Sequence, residues 1–275
     1  MQETVINAQT ILEAAKRAKQ FSRTKEQIEA ARRTLEWMEY AKSRLTEAQA
    51  SKGAFNYLTD LTSEPEEYKK FLFDTLEAGE IRIVIDGGRV RIEETGVPTV
   101  WRMLIGNQDL IAISLLPQMV TEAAATGESD IVPPAEQPEG LFAAPSIITE
   151  LRAALAATDL SKPDPDALPL SVELSRQPLS PQDKTYISEI LGSGRVEVNM
   201  RGFARSTIEQ TRVRGVWRSR ILSNANKELL DQVVVCTVPP EVMSSREDIP
   251  DALKRLQSKI DWCRSDLDRA EQEQK

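Results

Sequence analysis

A block of sequence occurs twice in this chain, and each occurrence has the make-up of one helix followed by a run of short strands. The first copy reads Leu76-Glu77-Ala78-Gly79-Glu80-Ile81-Arg82-Ile83 and then Arg91-Ile92-Glu93-Glu94-Thr95-Gly96-Val97-Pro98-Thr99-Val100-Trp101-Arg102. The second reads Leu191-Gly192-Ser193-Gly194-Arg195-Val196-Glu197-Val198 and then Thr207-Ile208-Glu209-Gln210-Thr211-Arg212-Val213-Arg214-Gly215-Val216-Trp217-Arg218. One supersecondary unit used twice at so long a spacing predicts two small domains and excludes a solenoid.

Each copy predicts its own elements. Ser63-Glu64-Pro65-Glu66 and Ser180-Pro181-Gln182-Asp183 have the form of helix N-caps with proline in the first turn, and both helices run out at glycine, Gly79 in one and Gly192 to Gly194 in the other. Period-two alternation comes next, with Ile81, Ile83 and Ile85 on one face and Val196, Val198 and Met200 repeating it. Asp86-Gly87-Gly88 marks a hairpin. Further strands are predicted over Val100 to Ile105, Leu110 to Leu115, Val216 to Leu222 and Leu230 to Val238. A helix then succeeds each set, at Ile147 to Ala157 and at Ile249 to Ala270.

Upstream, Ile28, Ala31, Leu35, Met38, Ala41, Leu45 and Ala48 recur at steps of three and four, and Thr24-Lys25-Glu26-Gln27 forms a capping box before them. With a weaker stripe at Val5, Ile6, Leu12, Ala15 and Ala18, this predicts a helical hairpin turning at Phe21 to Thr24. The expected fold class is α+β: two tandem repeats, each a helix plus a four-stranded antiparallel sheet plus a covering helix, with an N-terminal helical hairpin. The boundaries are 1–52 for the hairpin, 53–120 for the first repeat, 121–145 for a linker and 146–160 for the helix covering the first repeat. A second linker at 161–169 and the second repeat with its C-terminal helix at 170–275 complete the chain.

Composition removes much chemistry. There is no histidine, so a Ser-His-Asp relay, an HExxH zinc site and imidazole acid–base work are all excluded. Cys236 and Cys263 lack metal-ligand spacing, which predicts no metal and no cofactor. A formal charge of −8 argues against nucleic acid. The longest apolar runs, such as Ile111 to Leu116, are far short of a membrane span, and no export signal opens the chain, so a cytoplasmic location is expected.

The residues that stand out are Glu93, Glu94, Trp101 and Arg102 in one copy, and Glu209, Gln210, Trp217, Arg218 and Cys236 in the other. These nine are the candidate partner-binding positions, and no catalytic residue is assigned. Adjacent carboxylates on a strand face opposite ways, which disfavours acid–base work at Glu93-Glu94. The tryptophans read first as core anchors holding a helix on the sheet, with the alternating arginines free to pair with Glu93 or Glu94. Cys236, inside Val233 to Val238, reads as a small buried hydrophobe.

The pattern of Leu-Gly-x-Gly, then Ile-x-Glu, then Gly-Val-Trp-Arg, ordered twice with a helix before and after, resembles the hydrogenase expression/formation proteins of the HupH, HyaF and HoxQ type. The likeness runs from about Leu58 to Ala270 and is closest in the second copy, which includes Val238-Pro239-Pro240-Glu241-Val242. Glu77 departs from the pattern at the first glycine of copy one. The resemblance implies a non-enzymatic accessory protein for maturation of an uptake nickel–iron hydrogenase, binding the precursor of its iron–sulfur small subunit before or during cluster assembly. Two alternatives stand beside it: a scaffold that homodimerises through residues 1–52, and a hydrolase built on Glu93, Glu94 and Glu209.

Overall fold

The computed structural model describes residues 23–51, 53–202 and 205–273. Six α-helices lie among them: α1 Lys25–Ala50, α2 Glu66–Leu76, α3 Gln118–Ala124, α4 Ala144–Ala157, α5 Pro181–Leu191 and α6 Ile249–Glu273. The ten strands are β1 Asn56–Asp60, β2 Ala78–Ile85, β3 Val90–Thr95, β4 Val100–Ile105, β5 Gln108–Ser114, β6 Leu170–Glu173, β7 Val196–Met200, β8 Arg205–Gln210, β9 Val216–Leu222 and β10 Glu228–Val235.

All ten strands form one sheet, in the order β1-β5-β4-β3-β2-β7-β8-β9-β10-β6. This corrects the expectation of two four-stranded sheets. β1 and β6 were not foreseen, and each adds a fifth strand by pairing with the last strand of its own half. The halves meet where β2 pairs antiparallel with β7, Ile83 opposite Val198 and Ile85 opposite Val196. Arg195 closes that seam with a two-pronged ion pair to Asp86, at 2.7 and 2.6 Å.

Two faces result. On one, Ile83, Ile92, Trp101, Ala112, Val198, Ile208, Trp217 and Val234 form a single core spanning the seam, covered by α3 and by Val238, Val242 and Met243. On the other, the helices make two separate cores. α1, α2 and α6 pack over the first half through Met38, Leu72, Ile111, Ile113 and Leu256, while α4 and α5 pack over the second through Leu151, Ile187, Val216 and Val233.

The covering helices are therefore crossed. The helix after the first half, α4, packs on the second half, where the sequence assigned it to the first; α6, after the second half, packs on the first. Helix order along the chain says nothing about which half of one continuous sheet a helix reaches, and that is why the expectation failed.

The Thr24 capping box forms as the sequence predicts, with the Gln27 N–H donating to the Thr24 hydroxyl at 3.2 Å and the Thr24 N–H donating to Gln27 Oε1 at 3.1 Å. The apolar face of α1 is covered inside the chain by α2 and α6. The other arm of the predicted hairpin lies outside the described residues. At α2 the expected Ser63 cap is absent: Pro65 is the N-cap and makes no side-chain hydrogen bond. Ser180 does cap α5, reciprocally with Asp183.

Segment 121–145, expected as a linker, is a docked strap that starts on α3. Glu128 exchanges backbone hydrogen bonds with the 212–214 turn, donating to Arg212 O and accepting from Arg214 N, each at 2.9 Å. Ile131 is fully buried in the second-half core. Asp183 then fixes where α4 begins: its carboxylate accepts from the Phe142, Ala144 and Ser180 N–H groups at 2.9, 3.0 and 2.9 Å. Burial pushes this carboxyl up, yet those N–H groups outweigh it and bring it down to about 2. One side chain thereby satisfies orphan donors at the starts of two helices.

Asp183→Ala leaves those donors unpaired and is expected to cost roughly 3 kcal/mol in urea unfolding at neutral pH. The folded carboxyl is depressed, so its contribution is present above the ordinary aspartate range and fades as pH falls towards 2. A loss under about 1 kcal/mol contradicts this role.

Candidate functional site

The duplicated residues build duplicated fasteners. Trp101 and Trp217 are wholly buried, and their indole N–H groups donate to the carbonyls of Ser114 at 3.0 Å and Cys236 at 3.2 Å. They are core anchors as expected, but they face the shared core, on the side opposite the cores of α2 and α5. Arg102 and Arg218 point the other way. Each grips an aspartate on the next strand with two nitrogens: Arg102 with Asp109 at 3.0 and 2.6 Å, Arg218 with Asp231 at 2.9 and 2.7 Å. The expectation that they pair with Glu93 or Glu94 is thus corrected. Arg102 also lies over the Phe73 ring at 4.0 Å, and Arg218 donates to the Ser188 hydroxyl at 2.9 Å, so each strand is tied to its half's helix.

Past β3 and β8 the two loops again match. Thr95 and Thr211 each accept from the N–H two residues on, Val97 and Val213, at 3.2 Å. Two glycines allow close approach of the helix exit to this loop: a Cβ on Gly79 would stand 2.6 Å from Thr95 O, and one on Gly194 2.3 Å from Thr211 O. The helix exits themselves differ in composition. Glu77 adopts a left-handed φ of 64° where the second half has Gly192 at 55°, and its carboxylate takes a 2.8 Å ion pair from Lys259 on α6.

Glu93 and Glu209 lie on the helix face and pair with Arg82 at 2.8 Å and Arg220 at 2.6 Å. Gln210 and Glu94 lie at equivalent places on the tryptophan face, and here the halves part. Gln210 is buried and fully engaged: its amide nitrogen donates to Ala124 O at 3.1 Å and Thr126 O at 3.0 Å, and its oxygen accepts from Arg195 N at 3.2 Å. Among the described residues Glu94 hydrogen-bonds one side chain, the Ser244 hydroxyl at 3.3 Å, and opens into a cleft of about 500 Å³.

The difference comes from the segment by which the chain leaves each half. After Pro117 the chain makes the two-turn α3, whose exit reaches Gln210; after Pro239 the helical turn lasts only from Pro240 to Val242, and Ser244 alone reaches Glu94. Ser244 also accepts from Thr99 N at 3.1 Å. Burial raises the Glu94 carboxyl; the Ser244 hydroxyl opposes this, Asp248 and Glu80 add to it, Arg255 offsets part, and the result is about 7. Cys236 and Cys263 are buried, which pushes their thiols up to about 12 and about 11, too high to offer a thiolate at neutral pH.

Glu93, Glu94 and Glu209 do not converge: the first two are on opposite faces and the third is in the other half. Among the described residues no group of three or more Asp, Glu or Cys side chains is arranged to hold a metal ion, and no helix is long and apolar enough to cross a membrane. Of the nine sequence candidates, eight are buried or paired as structural fasteners and one, Glu94, faces open space. Asp109, Asp231 and Ser244 escaped the sequence reading, and Asp183 was read only as the acid of a helix N-cap. The first two share a sheet register, opposite Leu104 and Arg220, each two residues past its arginine, but turns of different length hide that match in the sequence.

Fold and site together define an α+β protein built on a single antiparallel sheet whose repeated residues fasten strands to helices. Residues 141–263 match the family model described as the C-terminal conserved region of the HupH hydrogenase expression protein. The hydrogenase expression/formation protein HoxQ of Azotobacter vinelandii is 30% identical over 203 residues, covering 71% of this chain and 70% of that protein. The hydrogenase-1 operon protein HyaF of Escherichia coli is 31% identical over 99 residues, 36% of this chain and 35% of that protein. A solved hydrogenase expression protein HupH from Thiobacillus denitrificans is 24% identical, covering 44% of this chain and 98% of that chain with a TM-score of 0.38. The chain belongs to the family of hydrogenase expression/formation proteins.

Glu94→Gln keeps the shape and removes a buried charge. The folded carboxyl holds its proton to higher pH than the unfolded one, so wild-type stability falls as pH rises through about 7. The variant is expected to be roughly 2 kcal/mol more stable at pH 8, allowing for partial exposure, and indistinguishable near pH 4.5. Equal urea midpoints at pH 8 contradict the assignment.

Proposed function

We propose that this protein is a non-enzymatic accessory factor in hydrogenase maturation, acting in the cytoplasm by holding the iron–sulfur small subunit of an uptake nickel–iron hydrogenase before or during cluster assembly. Family membership supports the maturation role, since the relatives carry hydrogenase expression and formation in their names.

One observation carries the mode of action: the sheet ends in two short outer strands that carry apolar side chains into solvent. β1 presents Asn56, Leu58 and Asp60 outward with Leu58 55% exposed, and β6 comes just after Leu168 at 99% exposure. An outer strand keeps a row of unpaired N–H and C=O groups, the template on which an extended segment of another chain adds a strand. A subunit that has not yet closed around its clusters exposes such segments, and binding it in that state holds it there by mass action. The buried, protonated thiols fit a role in which the client supplies the cluster ligands.

A tagged small-subunit precursor should co-purify with the wild-type chain, and Leu58→Lys together with Leu168→Lys should cut recovery at least about fivefold while leaving the fold intact. Full recovery with the double variant contradicts edge docking, and no recovery with the wild type contradicts the client. Deleting the protein should lower the yield of cluster-loaded hydrogenase in the cell.

A further inference from the structure

We propose that the cleft at Glu94 is a docking slot for an extended stretch of another polypeptide bearing a lysine or arginine, whose cationic end meets the Glu94 carboxylate. The inference rests on the polypeptide-binding reading above and names the segment that the first half of the sheet receives.

The chain contains its own precedent. At the equivalent place in the second half, Gln210 holds the strap by the carbonyls of Ala124 and Thr126, and the 212–214 turn takes the strap backbone through Glu128. That place is filled by polypeptide. In the first half the helical turn after Pro239 lasts only from Pro240 to Val242, the corresponding floor residue is Glu94, and among the described residues the space is open.

Chemistry separates the two slots. Pro98 stands where Arg214 stands and has no N–H to donate, and the Gly96 carbonyl, in the place of Arg212 O, already accepts from Arg255 at 2.9 Å. The backbone grip of the second slot is therefore missing, and recognition falls to side chains. Met200 and Met243 line the cleft with adaptable apolar surface, suited to the aliphatic stem of a long cation. Glu80, Glu241 and Asp248 surround Glu94 with negative charge. Arg255, the one cation among the described lining residues, is already paired with Asp251 at 2.7 Å. An acidic cleft with a half-buried carboxylate at its floor selects a basic side chain, and a charge pair formed there is shielded from solvent.

The probe is a fluorescein-labelled peptide of strap residues 123–131 carrying Ala125→Lys, Glu128→Lys and Asp130→Lys, titrated with the full-length protein by anisotropy. Binding is expected, with affinity reduced about tenfold or more by Glu94→Gln and about threefold by Glu80→Gln on the exposed rim, and unchanged by Glu150→Gln on α4. The unmodified acidic strap peptide is expected to bind at least about tenfold more weakly. Equal affinity of the wild type and Glu94→Gln for the lysine peptide overturns the slot, and so does equal binding of the acidic peptide. Small-subunit co-purification separates this inference from the reading beneath it. Recovery by the wild type that Glu94→Gln leaves unchanged overturns the slot and leaves the maturation role. A wild type that binds the lysine peptide but never the subunit overturns that role and leaves the slot.

Discussion

The pairing of β2 with β7 is the contact on which the rest of this molecule depends. Each half alone is a five-stranded sheet with one helix-covered face and one bare face carrying a tryptophan. Joined edge to edge, the halves merge those bare faces into one core and remove two unpaired strand edges from solvent. The crossed helices result from the same join, since the chain leaving either half has only to pass over the seam to cover the other. α4 and α6 then lock the arrangement, because each packs on the half that it does not follow in the chain.

Duplication makes the two halves alike where strands must be fastened and unlike where the chain has room to vary. Both tryptophan N–H groups, both arginine–aspartate grips and both threonine loops recur with nearly the same distances. The segments that leave the sheet differ in length by more than a helical turn. That difference closes one slot with the chain's own backbone and leaves the other open above a carboxyl that burial holds partly protonated. A buried carboxyl without a strong partner is costly, and such sites concentrate where a protein binds something.

The sequence made five of the six helices described and eight of the strands legible, because long amphipathic stripes and period-two alternation are strong local signals; the short α3, inside what read as strand exit and linker, was missed. β1 and β6 escaped it. Asn56-Tyr57-Leu58-Thr59-Asp60 alternates with its apolar Leu58 in solvent, and Leu170 to Glu173 is only four residues long. Nothing local announces that two repeats share one sheet, since β2 and β7 each read as a strand with an unspecified neighbour. The strap read as a linker because Pro, Glu and Ala dominate it, while the contacts that dock it are hydrogen bonds to its backbone, the buried Ile131 and an ion pair of Asp130 with Arg152. At the site, the Trp-Arg pairs announced themselves by repetition and proved to be fasteners. Glu94 and Gln210 looked like a conservative exchange, and only their different surroundings show that the strap fills the place at Gln210 while, among the described residues, Glu94 faces a cleft.

Native-state hydrogen exchange on the full-length protein, followed strand by strand, bears most directly on the single-sheet account. Amides of β2 and β3 and those of β7 and β8 should open together, with one free energy and one denaturant dependence, as parts of a single cooperative unit. Exchange in which one half opens at markedly lower free energy while the other stays protected would mean two domains in contact, and would contradict the join across β2 and β7.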